Sequence, residues 1–277
     1  MTTADAPTRA AATAPDQPAP RRRRVRPARI ALAVALPLLA VLAWQVAIWV
    51  AQPREWMLPS PTAVAGAGWD ARDRLWFHAQ WTLLIAVIGL VIAVAAGAGL
   101  AYLIARSRVA WLALYPWVIV SQVIPLVALA PLLVLWLPPF AAIVVLAVLM
   151  SIFPVIVAGV DGLRGTDPDL VRAARGLGAD AGWTWRHVRV PAALPRLFTG
   201  IRMAAVFVVS GAVVGELVAS DRGLGALTRL SAGQFETPIT FAGVALLALI
   251  GLALFGAVAV AERLAIPWTR RAARRGS

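Results

Sequence analysis

Between Val109 and Val160 the chain runs for 52 residues without a charged side chain. As a helix rising about 1.5 Å per residue, that run is more than twice the roughly 30 Å thickness of a bilayer's hydrocarbon core. It must therefore cross, turn and cross again. Pro138-Pro139 is the natural reversal point, because proline cannot continue a helix and also restricts the residue before it. The first crossing of the pair carries Pro116, Pro125 and Pro131. These predict a kink or break at mid-membrane, which survives only where the freed carbonyls face protein or a water-lined path.

The rest of the composition agrees. With 61% hydrophobic and 14% charged residues among 277 and a mean hydropathy of +0.79, the chain has more apolar surface than a soluble domain of its size buries. Further crossings are expected at Ile30–Val50, Trp81 to about Ala105, Met203–Ser220 and Phe241–Ala261, six in all. The first is longer than the apolar segment of a cleaved signal peptide and is expected to be retained. Residues 1–29 read as a disordered basic tail, residues 51–80 as an outer interfacial segment rich in tryptophan, residues 81–262 as the core, and residues 263–277 as a second basic tail. On the second crossing Gly89, Ala93, Gly97 and Ala101 recur every four residues and offer a smooth face for close helix approach.

The net charge of +13 comes entirely from arginine, since the chain has no lysine. If both termini lie inside, 21 arginines fall on inner segments and only Arg54, Arg72, Arg74, Arg222 and Arg229 on outer ones. That bias is the positive-inside signature of a multi-pass plasma-membrane protein, N-in and C-in, rather than of a nucleic-acid binder. The missing lysine also excludes an ordinary phosphate-binding loop, so the chain holds no ATPase site of its own. No cysteine is present, and the only histidines, His78 and His187, fall on opposite sides of this topology. A shared metal site or a Ser-His mechanism is therefore unsupported, and no catalytic residue or cofactor is assigned.

The longest polar interruption, residues 161–202, falls inside the cell on this topology. Asp167, Pro168 and Asp169 form a helix start. The following "DLVRAAR" runs into Gly176 and Gly178, which favour a stop and a bend. A second short helix, roughly Asp180 to Val188, is expected to end before Pro191, giving a two-helix knob outside the bilayer.

The stretch "RAARGLGADAGWTWRHVRVPAALP" resembles the EAA signature of permease subunits of ABC importers, whose pattern is Glu-Ala-Ala, three residues, Gly, nine residues, then Ile-x-Leu-Pro. Ala173, Ala174 and Gly178 fall in register, and Val188, Val190 and Pro191 take the closing positions; Arg172 stands where the family has Glu. "LPSPTAV", "SQVIPLVALAPLLVLW" and "VVGELV" extend the likeness, over about residues 55 to 265, to the nitrate, sulfonate, taurine and thiamine-precursor group. The resemblance implies an all-α, type I permease architecture. Its inner knob, with Arg172, Ala173, Ala174, Gly178, Val188 and Pro191, would couple to separate ATP-binding cassette ATPase subunits. It also implies an extracytoplasmic substrate-binding protein, a permease homodimer in lipid, and a cargo resembling a thiamine-precursor pyrimidine or a sulfonate- or nitrate-like anion.

For the translocation path the candidates are Ser121, Gln122 and Pro125 on the broken crossing, together with Glu216, an ionisable residue within a span near its outer end where it should reach water. The main competitor is a stand-alone carrier or channel. A carrier would want intramembrane acids or a proton relay, and among the spans only Glu216 qualifies. An intramembrane enzyme lacks a convergent nucleophile and base.

Overall fold

The computed structural model describes residues 27–268, and among these every regular element is a helix. Most of the two expected tails therefore lies outside the described residues. In chain order the elements are α1 (Pro27–Ala51), α2 (Pro61–Asp70), α3 (Arg72–Arg106), α4 (Arg108–Val120), α5 (Leu126–Trp136), α6 (Pro139–Arg164), α7 (Pro168–Gly176), α8 (Ala181–Thr184), α9 (Val190–Ala219), α10 (Leu224–Gly233) and α11 (Thr237–Ala265). Four stretches are long and apolar enough to cross a bilayer: α3, α6, α11 and the run Ala181–Ala219 that contains α8 and α9. Within α1 the run Ala35–Ala51, where the described side chains are continuous, is a shorter apolar helix, as are the pair α4 and α5. The pair forms the broken crossing.

Several boundaries differ from the sequence expectation, each for a visible reason. The second crossing starts at Arg72 rather than Trp81, because Leu75, His78 and Ala79 already have a buried face. The fifth is a 30-residue helix rather than the expected Met203–Ser220. Arg196 and Arg202 do not end it: they pair with Asp161 of α6 at 3.3 Å and Glu262 of α11 at 3.4 Å. The short helix expected to stop before Pro191 instead passes through a π-helical turn, Trp185–Arg189, into α9. A π turn widens the backbone. It gives the ring of Pro191 room where the carbonyl four residues earlier, that of His187, would otherwise clash. The third crossing does break, at residues 121–125, with Pro125 opening α5, whereas Pro116 and Pro131 lie inside α4 and α5. Pro139 occupies the first turn of α6, as the reversal at Pro138-Pro139 requires.

The core is built on α6, with α3 on one side and α9 on the other. Lipid tails are as apolar as leucine, so helices in a bilayer associate through close van der Waals contact between small residues. The expected α3 face does this: Gly89, Ala93, Gly97 and Ala101 are all buried. A Cβ on Gly89 would lie 3.0 Å from both Ala147 and Val208, and one on Gly97 2.9 Å from Val155. From the other side, a Cβ on Gly211 of α9 would lie 2.7 Å from the Cα of Ala147, and one on Gly215 2.8 Å from Ile143. Ala147 thus meets both neighbours. Outward-facing Leu83, Val91, Ile92 and Leu252 leave a broad apolar girdle exposed.

Two ends of the bundle are distinct. At one, α2 lies along α11, Arg74 pairs with Glu236 at 3.2 Å, and Thr237 donates to the Trp56 carbonyl at 2.7 Å. At the other lie Arg106, Arg164 stacked over Trp111, and the knob of α7 and α8. The described inner-end arginines outnumber those of the α2 end, as the positive-inside reading expects.

Replacing Gly211 by valine should force apart α6 and α9 and lower stability by about 1–3 kcal/mol, the usual cost of overpacking. Gly256→Val, where nothing lies within 4 Å, should change little. Thermal unfolding of the detergent-purified protein, read by monodispersity, compares the two.

Candidate functional site

The knob is built from local capping. Asp167 accepts from the amide of Asp169 at 2.8 Å, Pro168 opens α7, and Arg172 pairs with Asp169 one turn earlier. At its far end the amide of Ala179 donates to the Ala174 carbonyl at 3.1 Å and that of Gly178 to the Arg175 carbonyl at 3.0 Å. This bond pair is a Schellman cap with Gly178 at the left-handed position, where its φ is +86°. Asp180 then caps α8 through the Trp183 amide at 2.7 Å, and Trp183 stacks on His187 at 4.7 Å.

Of the six sequence candidates in the knob, Ala174, Gly178 and Val188 come together around a recess of about 490 Å³. Arg172 and Ala173 lie exposed on α7, and Pro191 sits apart in the first turn of α9. One residue was missed. Leu177, between the two glycines, is 90% exposed at the apex. The available signal was a large apolar residue in an otherwise polar corner.

Within the membrane region the break in the third crossing opens onto two cavities. One, of about 460 Å³, lies between Gln122, Leu126, the α6 residues Met150, Phe153 and Pro154, and Met203 and Phe207 of α9. Asp161 reaches its edge with its carboxylate already paired with Arg196. The second, of about 350 Å³, is shared by Ser121, Gln122, Trp117 and Phe153. Ser121 itself donates to the Val118 carbonyl at 2.7 Å. Pro125 is exposed and sets the break rather than lining either cavity.

Glu216 belongs elsewhere, and the expectation that it reaches water is wrong: it is 0% exposed and lines neither cavity. Its carboxylate accepts from Thr82 Oγ1 of α3 at 2.8 Å and from the amide of Gly225, in the first turn of α10, at 2.8 Å. Thr82 Oγ1 in turn accepts from the Leu224 amide at 2.8 Å, and His78 Nδ1 lies 3.0 Å from the Gly223 carbonyl. The start of α10 is thus tied to α3 and α9 by one buried polar cluster. His187 lies at the opposite end, and no group of three metal-ligating side chains occurs among the described residues.

Two features now meet: an inner-end elbow held in register by a left-handed glycine, and a broken pair of apolar helices beside a cavity in a bundle with four long apolar spans. The family model "Binding-protein-dependent transport system inner membrane component" matches residues 89–266. The chain belongs to that family. It is 38% identical over 244 residues to the riboflavin transport system permease protein RibX of Chloroflexus aurantiacus, covering 86% of this chain and 90% of that one. It is 33% identical over 237 residues to the formylaminopyrimidine transport permease protein ThiX of Halalkalibacterium halodurans, covering 84% and 94%. The fold is similar to that of a chain in the inward-facing MetNI methionine ABC transporter, with a TM-score of 0.58 and 19% identity over 69% of this chain and 97% of that chain. The protein is therefore an ABC-importer permease subunit of the inner membrane, not itself an enzyme, and membership implies ATPase and substrate-binding partners.

Glu216→Leu should leave the Gly225 amide and the Thr82 hydroxyl without their acceptor, at about 1–3 kcal/mol. Hydrogen exchange of amides 223–228 should accelerate selectively, and Glu216→Gln, which keeps an acceptor oxygen, should have the smaller effect.

Proposed function

We propose that two copies of this chain form the path for a small, uncharged or weakly polar heteroaromatic solute of the pyrimidine class, and that the α7–α8 elbow couples the path to the ATPase. The observation that carries the substrate reading is the cavity beside the break. It offers two phenylalanine rings, two methionines and the amide of Gln122, but no basic side chain. Aromatic and thioether groups suit a flat ring system and the amide can read its polar edge. A sulfonate or nitrate would want a cation or several converging donors. The names of the two relatives, riboflavin and formylaminopyrimidine, point the same way.

With the ATPase and binding protein in proteoliposomes, labelled formylaminopyrimidine or riboflavin should accumulate in preference to taurine. Gln122→Ala should cut that uptake about three- to tenfold, the worth of one neutral hydrogen bond. Preferential uptake of the sulfonate would overturn the substrate reading.

Coupling rests on the elbow's shape. Leu177 stands out at the apex as an apolar plug, and Gly178 holds the corner in a conformation that costs an L-residue with a side chain about 1–2 kcal/mol. Gly178→Val and Leu177→Asp should both insert normally and bind substrate-binding protein, yet lose ATP-driven uptake. If uptake by either variant kept pace with the unaltered transporter, the coupling role would be lost.

A further inference from the structure

A third cavity, at the inner end of the bundle, shares Asp180 and Trp183 with the elbow but adds two arginines that neither the path nor the coupling reading uses. It measures about 650 Å³ and lies between the last turn of α3, which contributes Tyr102 and Arg106, and the segment with Trp183, Trp185, Arg186 and His187. Its placement is interfacial: Arg106 ends the apolar span α3, and the opposite wall opens the run Ala181–Ala219 that enters the bilayer.

The charge balance is positive. Arg106 donates to the Tyr102 hydroxyl at 2.8 Å, and neither Arg106 nor Arg186 has a carboxylate partner among the described residues. Asp180 is the acid on the wall, and one of its oxygens is taken by the Trp183 amide. The aromatic walls are fixed: Tyr102 meets Trp185 edge-on at 5.8 Å, Trp183 stacks on His187, and Arg189 covers Trp185 at 5.2 Å. The indole N–H of Trp185 is buried without an acceptor among the described residues.

We propose that this cavity seats the phosphodiester headgroup of an anionic phospholipid of the inner leaflet. Two unpaired guanidinium groups and a phenol supply donors for phosphate oxygens. Tyrosine and tryptophan are the rings that favour a membrane interface, and basic pockets between spans at the cytoplasmic face recognise lipid headgroups. A lipid is favoured over a soluble phosphate because Leu103, next in the chain to the wall residue Tyr102 on the apolar span α3, is exposed and offers a surface for acyl chains.

The test is native mass spectrometry of the full-length permease purified with its ATPase, after delipidation and titration with phosphatidylglycerol, phosphatidylcholine or inorganic phosphate. Phosphatidylglycerol should bind in preference to phosphatidylcholine and remain bound in excess phosphate. The double variant R106Q/R186Q should bind phosphatidylglycerol about thirtyfold more weakly, the loss expected for two basic contacts at an anionic surface. Arg229→Gln, at the opposite end, should bind it normally. Intact subunit assembly and an unaltered melting temperature exclude misfolding of the double variant; if it misfolds, the single variants R106Q and R186Q are titrated in its place. Equal binding of both lipids, or undiminished phosphatidylglycerol binding by the folded arginine variants, overturns the proposal. Displacement of lipid by free phosphate would also overturn it, assigning the seat to a soluble anion.

Discussion

Everything in this bundle depends on how closely α6 can be approached from two sides. In water, burying leucine drives helices together; between helices in lipid that gain is nearly absent, so contact distance must supply the attraction. The chain achieves it by placing Gly89 and Gly97 on α3 and Gly211 and Gly215 on α9 against the stripe of α6 that contains Ile143, Ala147 and Val155. Ala147 lies at the meeting point of both approaches. A side chain larger than methyl there would separate all three helices at once, which is why the tightest part of the molecule contains its smallest residues.

The polar groups follow from that packing rather than competing with it. A carboxylate at 0% exposure is tolerable only if hydrogen bonds replace its lost water. Glu216 obtains these from a hydroxyl on α3 and an amide of α10. Because the donors come from two other elements, the cluster fixes where α10 begins relative to two spans. At the other end Arg196 and Arg202 perform the related task of letting α9 emerge from lipid beside Asp161 and Glu262 without ending.

What the sequence made legible was whatever depends on local pattern. The small-residue face of α3, the reversal at Pro138-Pro139, the break near Pro125 and the cap chemistry at Asp167 and Gly178 all act within a few residues of their own position. What escaped depends on distant partners. The extent of α9 was hidden because a charge looks like a helix limit until its counter-ion, 35 or 60 residues away, is known. Glu216 was placed near water for the same reason: Thr82 precedes it by 134 residues. Pro191 misled differently, since a π turn that accommodates a proline leaves no mark in the spacing of apolar residues.

The continuity of α9 bears on how the proposed coupling at the elbow would reach the proposed path. From Ala181 the backbone runs without a loop to Ala219, passing the recess at Val188, the cavity residues Met203 and Phe207, and finally Glu216. If the elbow couples as proposed, a flexible connection after it would absorb a push from an ATPase, whereas a helical rod about 45 Å long, the length of α9, would transmit it. The π turn at Trp185–Arg189 is the one irregular step along this rod, placed between elbow and span, where a change in pitch would turn α9 about its axis. The glycine contacts limit the response, because close packing favours discrete rearrangement over continuous bending. Rotation of α9 against α6 would move Phe207 relative to Phe153 across the same cavity, so the elements that hold the bundle together also define the direction in which it can open.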